Sequence, residues 1–377
     1  MPKSRRSGLL VAAVFLVAGL IVLVAVLSAG LRPRPGSTAV ASGSSTSPAI
    51  AQASSFPPSS TFLLTPMPTL VAQVPTAVPT LRATAAPTRA PTARPTVAPT
   101  TKPTPAPVAA CGIFPSSNPW NRSVATLPVA ANSATLIASI GLDAYLHPDF
   151  SATGYGIPIN VVGPSTPRVA VKFGYADESD PGPYPIPANP RIEGGSDRHM
   201  ILWDTSACHL YELFAASHGG SGWTAGSGAI WDLRSNALRP DGWTSADAAG
   251  LPILPGLVRY SEVAPGAILH ALRFTAPHTR TAHIYPARHD AGESSSAALP
   301  PMGLRVRLKA SVDLSGFGPQ ARVILVALQR YGMILADNGS PWYVTGAPDS
   351  RWDDDQLHAF HQLTGADFEV VDTSSLH

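Results

Sequence analysis

The chain has 377 residues, 26 basic and 24 acidic, and that near balance conceals two opposite parts. No Asp or Glu precedes Asp143, so residues 1–110 carry nine basic groups and no acid, whereas residues 111–377 hold 17 basic against 24 acidic groups, a net of −7. An acidic folded region excludes general nucleic-acid binding, which needs a cationic footprint, while leaving enough chain for one large or two small domains.

In chain order, MPKSRRS precedes a predominantly apolar run from Gly8 to Leu31. Twenty-four helical residues would reach about 36 Å, enough for a bilayer core with some tilt. Lys3, Arg5 and Arg6 favour a cytoplasmic N-terminus. The expectation is a membrane anchor at residues 8–31 within a segment 1–31. The alternative is a cleaved signal sequence ending near Ala39-Val40-Ala41. On either reading the remainder is extracytoplasmic, as a single-pass cell-membrane protein or a secreted one. Residues 32–110 are Pro, Thr, Ala and Ser with scattered Arg and Lys. Such a stretch buries too little apolar surface to fold and favours extended polyproline II, so it reads as a disordered stalk.

From 111 to 377 the sequence predicts one mostly β domain. Strand-like runs recur between Pro, Gly and Asn clusters: INVVG, RVAVKFGYA, RHMILWD, HLYELFA, GAIWDL, ILHALRFT, HIYPA, LRVRLKAS, MILAD and WYVTG. Their recurrence predicts an antiparallel β-sandwich or jelly roll with a few short helices. Helices are expected in residues 128–140, in 319–331, which opens on Pro, and in 353–363, whose three leading acids suit a helix N-terminus. Cys111 and Cys208 suit an oxidising compartment. Paired, they would close a loop worth roughly 4–5 kcal/mol in chain entropy.

Candidate chemistry is scattered. Asp177, Glu178 and Asp180 precede a proline-stiffened loop. They read as a turn cap, as oxygen ligands for calcium, or as one half of a glycosidase carboxylate pair. If Thr205 and Ser206 form a two-residue hairpin loop, His199 lies opposite Glu212, the carboxylate orienting the imidazole. His270 and Arg273 fall on opposite strand faces, Arg273 on the more polar one, and His283 shares a face with Tyr285. Arg305, Arg307 and Lys309 alternate with Val306 and Leu308, which makes them either a solvated face or the floor of an anion-binding groove. Trp223, Trp231 and Trp342 sit in polar, Gly-rich contexts suited to sugar stacking as well as to core packing. His358 and His361 form a weak i,i+3 pair, and no metal ligand set is expected. No nucleophile-elbow, Walker, Rossmann or zincin pattern occurs.

The runs DESDPGPYPIP, DRHMILWD, SGAIWDL, LRPDGWTSADAAGLPILPGLVRY, HALRFT, PPMGLRVRLKAS and YGMILADNGSPWYVTGAPDSRWDDD together resemble a group of exported proteins found mainly in soil bacteria, which carry no assigned role. The resemblance spans about Cys111 to Asp372. It implies an extracytoplasmic single domain and brings no catalytic residues.

The leading expectation is therefore a protein acting on a cell-surface or environmental polysaccharide. A hydrolase would draw two carboxylates from Asp177, Glu178, Asp180, Glu212 and Asp232. A lyase would use Arg305, Arg307 and Lys309 to neutralise a uronate, with Arg273 as a further binding group and His199 or His283 as base. The rival expectations are a carbohydrate-binding or structural cell-surface module and an exported protein-interaction domain.

Overall fold

The computed structural model describes residues 111–376. The expected anchor and stalk lie outside them, and no helix among the described residues is long and apolar enough to cross a membrane. The described part is mostly sheet, with few short helices.

Six strands form the largest sheet, in the spatial order His147–Asp149, Tyr343–Thr345, Leu272–Ala276, Met333–Asn338, Arg305–Leu308 and Phe368–Val370. A second sheet orders Ser227–Asp232, His209–Phe214, Met200–Asp204 and Ile159–Val162. Smaller sheets pair Val171–Phe173 with Gly222–Ala225 and Ser217–Gly219, and Arg168–Val169 with Tyr184–Pro185. The expectation of a purely antiparallel arrangement fails at four pairings among the described strands, each of them parallel. The partners are far apart in sequence, as Leu272–Ala276 and Met333–Asn338 show. A parallel pair requires such a crossover connection.

The Pro319–Arg330 helix shows why the sequence folds locally as it does. Pro319 opens it, where a missing N–H costs nothing. Ala321, Ile324, Leu325 and Leu328 recur at helical spacing and are fully buried in the main core. Each of the three larger side chains contributes about 1.5–3 kcal/mol by burial. On the core face of the large sheet the Trp342 ring stacks between Phe274 and Phe368, with centroids 5.7 and 5.1 Å apart, and its Nε1–H donates to the Gly141 carbonyl at 2.6 Å. Trp342 is thus a core residue and not a sugar platform. Trp231 is likewise buried, and of the three candidates Trp223, packed against His218, is the partly open one.

Two sequence expectations are corrected by backbone geometry. The HIYPA run forms no strand; His283 makes a single bridge to Met302. In RHMILWDTSACHLYEL the turn is longer than two residues. Asp204 Oδ1 accepts from the Ser206 and Ala207 amides and from the Ser206 hydroxyl, and Cys208 takes a left-handed φ of 57°. Met200 therefore pairs with Leu213 and Ile201 with Glu212, which moves His199 out of the expected register. The Cys111–Cys208 disulfide is formed.

The cationic row is also redistributed. Arg305 is buried and donates to the carbonyls of Pro119, Arg122 and Tyr331. Arg307 bonds Glu369 and the carbonyls of Val124 and Leu127, and Lys309 donates to Ala366. The segment 119–127 lays its carbonyls over that face, so the row anchors the chain and is neither the solvated face nor the anion groove expected of it.

Candidate functional site

Arg273 sits in an apolar run on a central strand, and its side chain is only 4% exposed. A cation so placed requires matched acceptors. Asp247 supplies them in two-pronged fashion: Arg273 Nε donates to Oδ2 at 3.1 Å and Nη2 to Oδ1 at 2.7 Å. Nη1 donates to Thr345 Oγ1 at 2.6 Å. The polar surface expected around Arg273 is instead a buried ion pair.

Asp247 comes from the loop TSADAAG, which is folded on itself. Ser245 Oγ accepts from the Asp247 amide and donates toward the Asp247 and Leu251 carbonyls. Gly250 closes the loop at φ +68°, where a Cβ would stand 2.5 Å from the Trp243 carbonyl oxygen, so only glycine fits. The Ala249 amide then ties the loop to Ala336 of the large sheet at 2.9 Å.

A bulge brings in the next acid. Between Phe274 and Thr275 the pairing with Met333–Asn338 shifts by one residue, so Thr275 lies opposite Asp337 where Ala336 would otherwise stand. The shift turns Asp337 onto Arg273's face, with Oδ2 3.6 Å from Nη2. Asp337 keeps a quarter of its side-chain surface open. Asp149 reaches the same face from the edge strand, directly opposite Thr345.

Just before the Met200–Asp204 strand of the second sheet, His199 places Nδ1 2.5 Å from Glu193 Oε2 and Nε2 3.0 Å from the Ala246 carbonyl. Both nitrogens face acceptors, so the ring holds both protons. Burial opposes its charge, but the Glu193 carboxylate outweighs burial and raises the His199 pKa. The same contact, against the opposing effect of burial, holds Glu193 below its ordinary value.

Two cations, Arg273 and His199, thus face four acids, Asp149, Glu193, Asp247 and Asp337. The surplus of acid falls on two of them. Burial, followed by the neighbouring charge of Asp247, pushes the Asp337 pKa up, and burial raises that of Asp149. Carboxyls raised in this way are chemically suited to proton transfer.

Asp337 opens into a cleft of about 260 Å³ whose lining includes Tyr175, Glu178, Phe214, Asp247 and His289. Tyr175 is 56% exposed. Glu178 accepts from the Thr244 amide at 3.1 Å and lies 3.9 Å from His289 Nε2, with about a third of its side chain open.

Of the residues singled out from sequence, the cluster and cleft bring together Glu178, His199 and Arg273. Asp177 is exposed and outside the cleft lining. Asp180 is engaged by Arg239 at 2.7 Å and by the Ile230 amide. No group of three or more His, Cys, Asp or Glu side chains among the described residues is arranged to hold a metal ion, so the calcium expectation gains no site. Asp232 is exposed and pairs with Arg234, and His283 pairs with Asp241 at 3.0 Å. Glu212 is buried and outside the cleft lining, accepting from the Ile253 and Leu254 amides at 2.8–3.0 Å. Asp149, Glu193, Asp247, His289 and Asp337 were not anticipated. The one signal for them was an acid ending the apolar run MILAD and an arginine inside the apolar HALRFT, two buried charges that must each find a partner.

Burial pushes the Glu212 pKa up to about 7, a rise only partly offset by the two amides. A carboxyl raised in the folded state stabilises below its unfolded pKa, and that stabilisation is lost as pH rises through about 7. Glu212→Gln cannot titrate. Its stability deficit relative to the parent, from urea unfolding midpoints, is expected to shrink by about 2–3 kcal/mol between pH 5 and pH 8. An unchanged deficit would show that the carboxyl titrates normally.

No family model, no curated protein and no solved structure matches this chain.

Proposed function

We propose that this chain is an extracytoplasmic glycoside hydrolase acting on a cell-surface or environmental polysaccharide. The observation that carries the reading is Asp337, a carboxyl beside the buried Asp247 and open to a cleft, whose pKa burial and that neighbour raise. In this reading the two larger sheets are the layers of a sandwich, with the loop around Asp247 between them. The Asp337 proton passes to the glycosidic oxygen as the C–O bond breaks. Glu178 takes a proton from the water that attacks the anomeric carbon. Tyr175 offers an open ring face to the sugar. Residues 8–31 would hold the domain at the membrane, and the stalk would carry it outward.

The lyase alternative has less behind it, because Arg305, Arg307, Lys309 and Arg273 all donate to protein acceptors. The test incubates the full-length protein, in detergent, with neutral and uronate polysaccharides. Reducing ends and the ultraviolet absorbance of unsaturated uronate are followed together. Reducing ends without absorbance are expected. Both rising would make it a lyase, and neither rising, with retention on a polymer, would make it a binding module.

A further inference from the structure

The face of the large sheet that carries Arg273 presents two rows of side chains. The first runs Asp149, Thr345, Arg273 and Ile334 across four neighbouring strands. Two residues along, His147 and Tyr343 begin the second row, directly paired and with rings stacked at 4.1 Å between centroids, and the row continues through Thr275 to Asp337. Side chains two apart on a strand share a face. Trp342 and Val344, on the other face, are buried in the core.

Two further rings extend the second row. His361, in the short 3₁₀ turn Ala359–Gln362, places Nε2 3.0 Å from His147 Nδ1. The Tyr145 ring lies 6.0 Å from that of His361 and is 60% exposed. His358 packs edge-on against His361. Burial, then the charges of neighbouring histidines, lowers the pKa of both His147 and His361. A 3.0 Å contact between ring nitrogens needs one donor and one acceptor, so the pair shares one proton there. The lowered pKa values favour neutral ring faces fringed by N–H and O–H groups.

A strip of this kind does not suit an ionic ligand, and the histidines belong to no three-ligand metal group. Neutral ring faces with hydrogen-bonding edges suit the two-sided character of a sugar ring, apolar on its C–H face and polar at its rim. The strip also has a fixed relation to the cleft. His147 stands three strand positions from Asp337 on the same sheet face, about 14 Å at ordinary strand spacing. A ligand touching both must be longer than one sugar.

We infer that Tyr145, His147, Tyr343 and His361 form a second sugar-binding subsite for a ring of the same polymer whose cleaved bond lies at Asp337. The substrate is then a long polysaccharide laid across the sheet, not a short oligosaccharide. This inference rests on the hydrolase reading of the cleft for its ligand.

The test is affinity electrophoresis of the full-length protein, in detergent, through native gels containing hydroxyethyl cellulose, xylan, glycol chitin or polygalacturonate. The parent, Tyr145→Ala and Asp337→Asn are run side by side. One polymer is expected to retard the parent and Asp337→Asn alike, while Tyr145→Ala binds it at least tenfold more weakly with unchanged melting temperature. Equal retardation of Tyr145→Ala, or no retardation of the parent in any gel, would overturn the subsite. So would a rise in melting temperature with Zn²⁺ that His361→Ala abolishes, since the strip would then be a metal site. Failure of the two readings is separable. If Asp337→Asn still releases reducing ends while Tyr145→Ala loses binding, the strip stands and the acid role falls. The reverse pattern removes the strip alone.

Discussion

Asp337→Asn is expected to lower the release of reducing ends by roughly 10³-fold, the range associated with loss of a general acid. The amide keeps the size and hydrogen-bonding edge of the carboxyl but has no proton to give. A substrate carrying a leaving group that needs no protonation, such as a nitrophenyl glycoside of the cleaved sugar, should be affected far less. That difference separates lost acid catalysis from lost binding. Stability separates it from misfolding. The Asp337 pKa is raised in the folded state, by burial first and by Asp247 second. The parent therefore loses stability as pH rises through that pKa, whereas the variant does not. Asp337→Asn should melt at or above the parent at pH 8, with the margin closing toward pH 5. An active variant on the natural polymer would end the assignment, and a variant that melts lower at pH 8 would show that Asp337 is ionised in a favourable site.

What could be read beforehand was local. The helix beginning at Pro319, the strands Met200–Asp204, His209–Phe214 and Met333–Asn338, and the Cys111–Cys208 pairing all follow from patterns within one segment or from compartment chemistry. The site depends instead on events between segments. The hairpin register turned on Asp204, whose side chain caps the turn and lengthens it, and no hydrophobic alternation reports that. Asp337 reaches Arg273 through a one-residue shift between strands some sixty residues apart in sequence, invisible to a period-two pattern. Arg305 and Arg307 alternated as a solvated row should, yet the segment 119–127 covers them with carbonyls. Amphipathic alternation tells which residues share a face, not what will lie on it. Arg273 was placed correctly on a face apart from the apolar core and wrongly in solvent, for the same reason.

Arg273→Met is expected to destabilise the protein by about 3–5 kcal/mol, the cost of leaving a buried charge without its partner. Asp247 has no exposed side-chain surface, and it meets Arg273 through two parallel hydrogen bonds. Without the guanidinium, two carboxyls face each other in the protein interior, and Asp337 loses the larger of the two charges, Arg273 and His199, that lower its pKa. Protonation can relieve this. The deficit, measured by urea unfolding, should therefore be largest near neutral pH and shrink as the solution is acidified. Arg273→Lys should recover only part of the loss, because an ammonium cannot span both carboxylate oxygens and Thr345 at once. The decisive comparison is the double variant Arg273→Met with Asp247→Leu. Replacing a buried ion pair by apolar groups of similar size is often neutral, so this chain should regain most of the stability lost by the single change, to within about 1–2 kcal/mol of the parent. Its activity should nonetheless fall, since Asp337 loses the Asp247 charge that, after burial, does most to raise its pKa. A stable single variant, or a double variant no better than the single, would mean that the Arg273–Asp247 pair is not the buried support on which Asp337 depends.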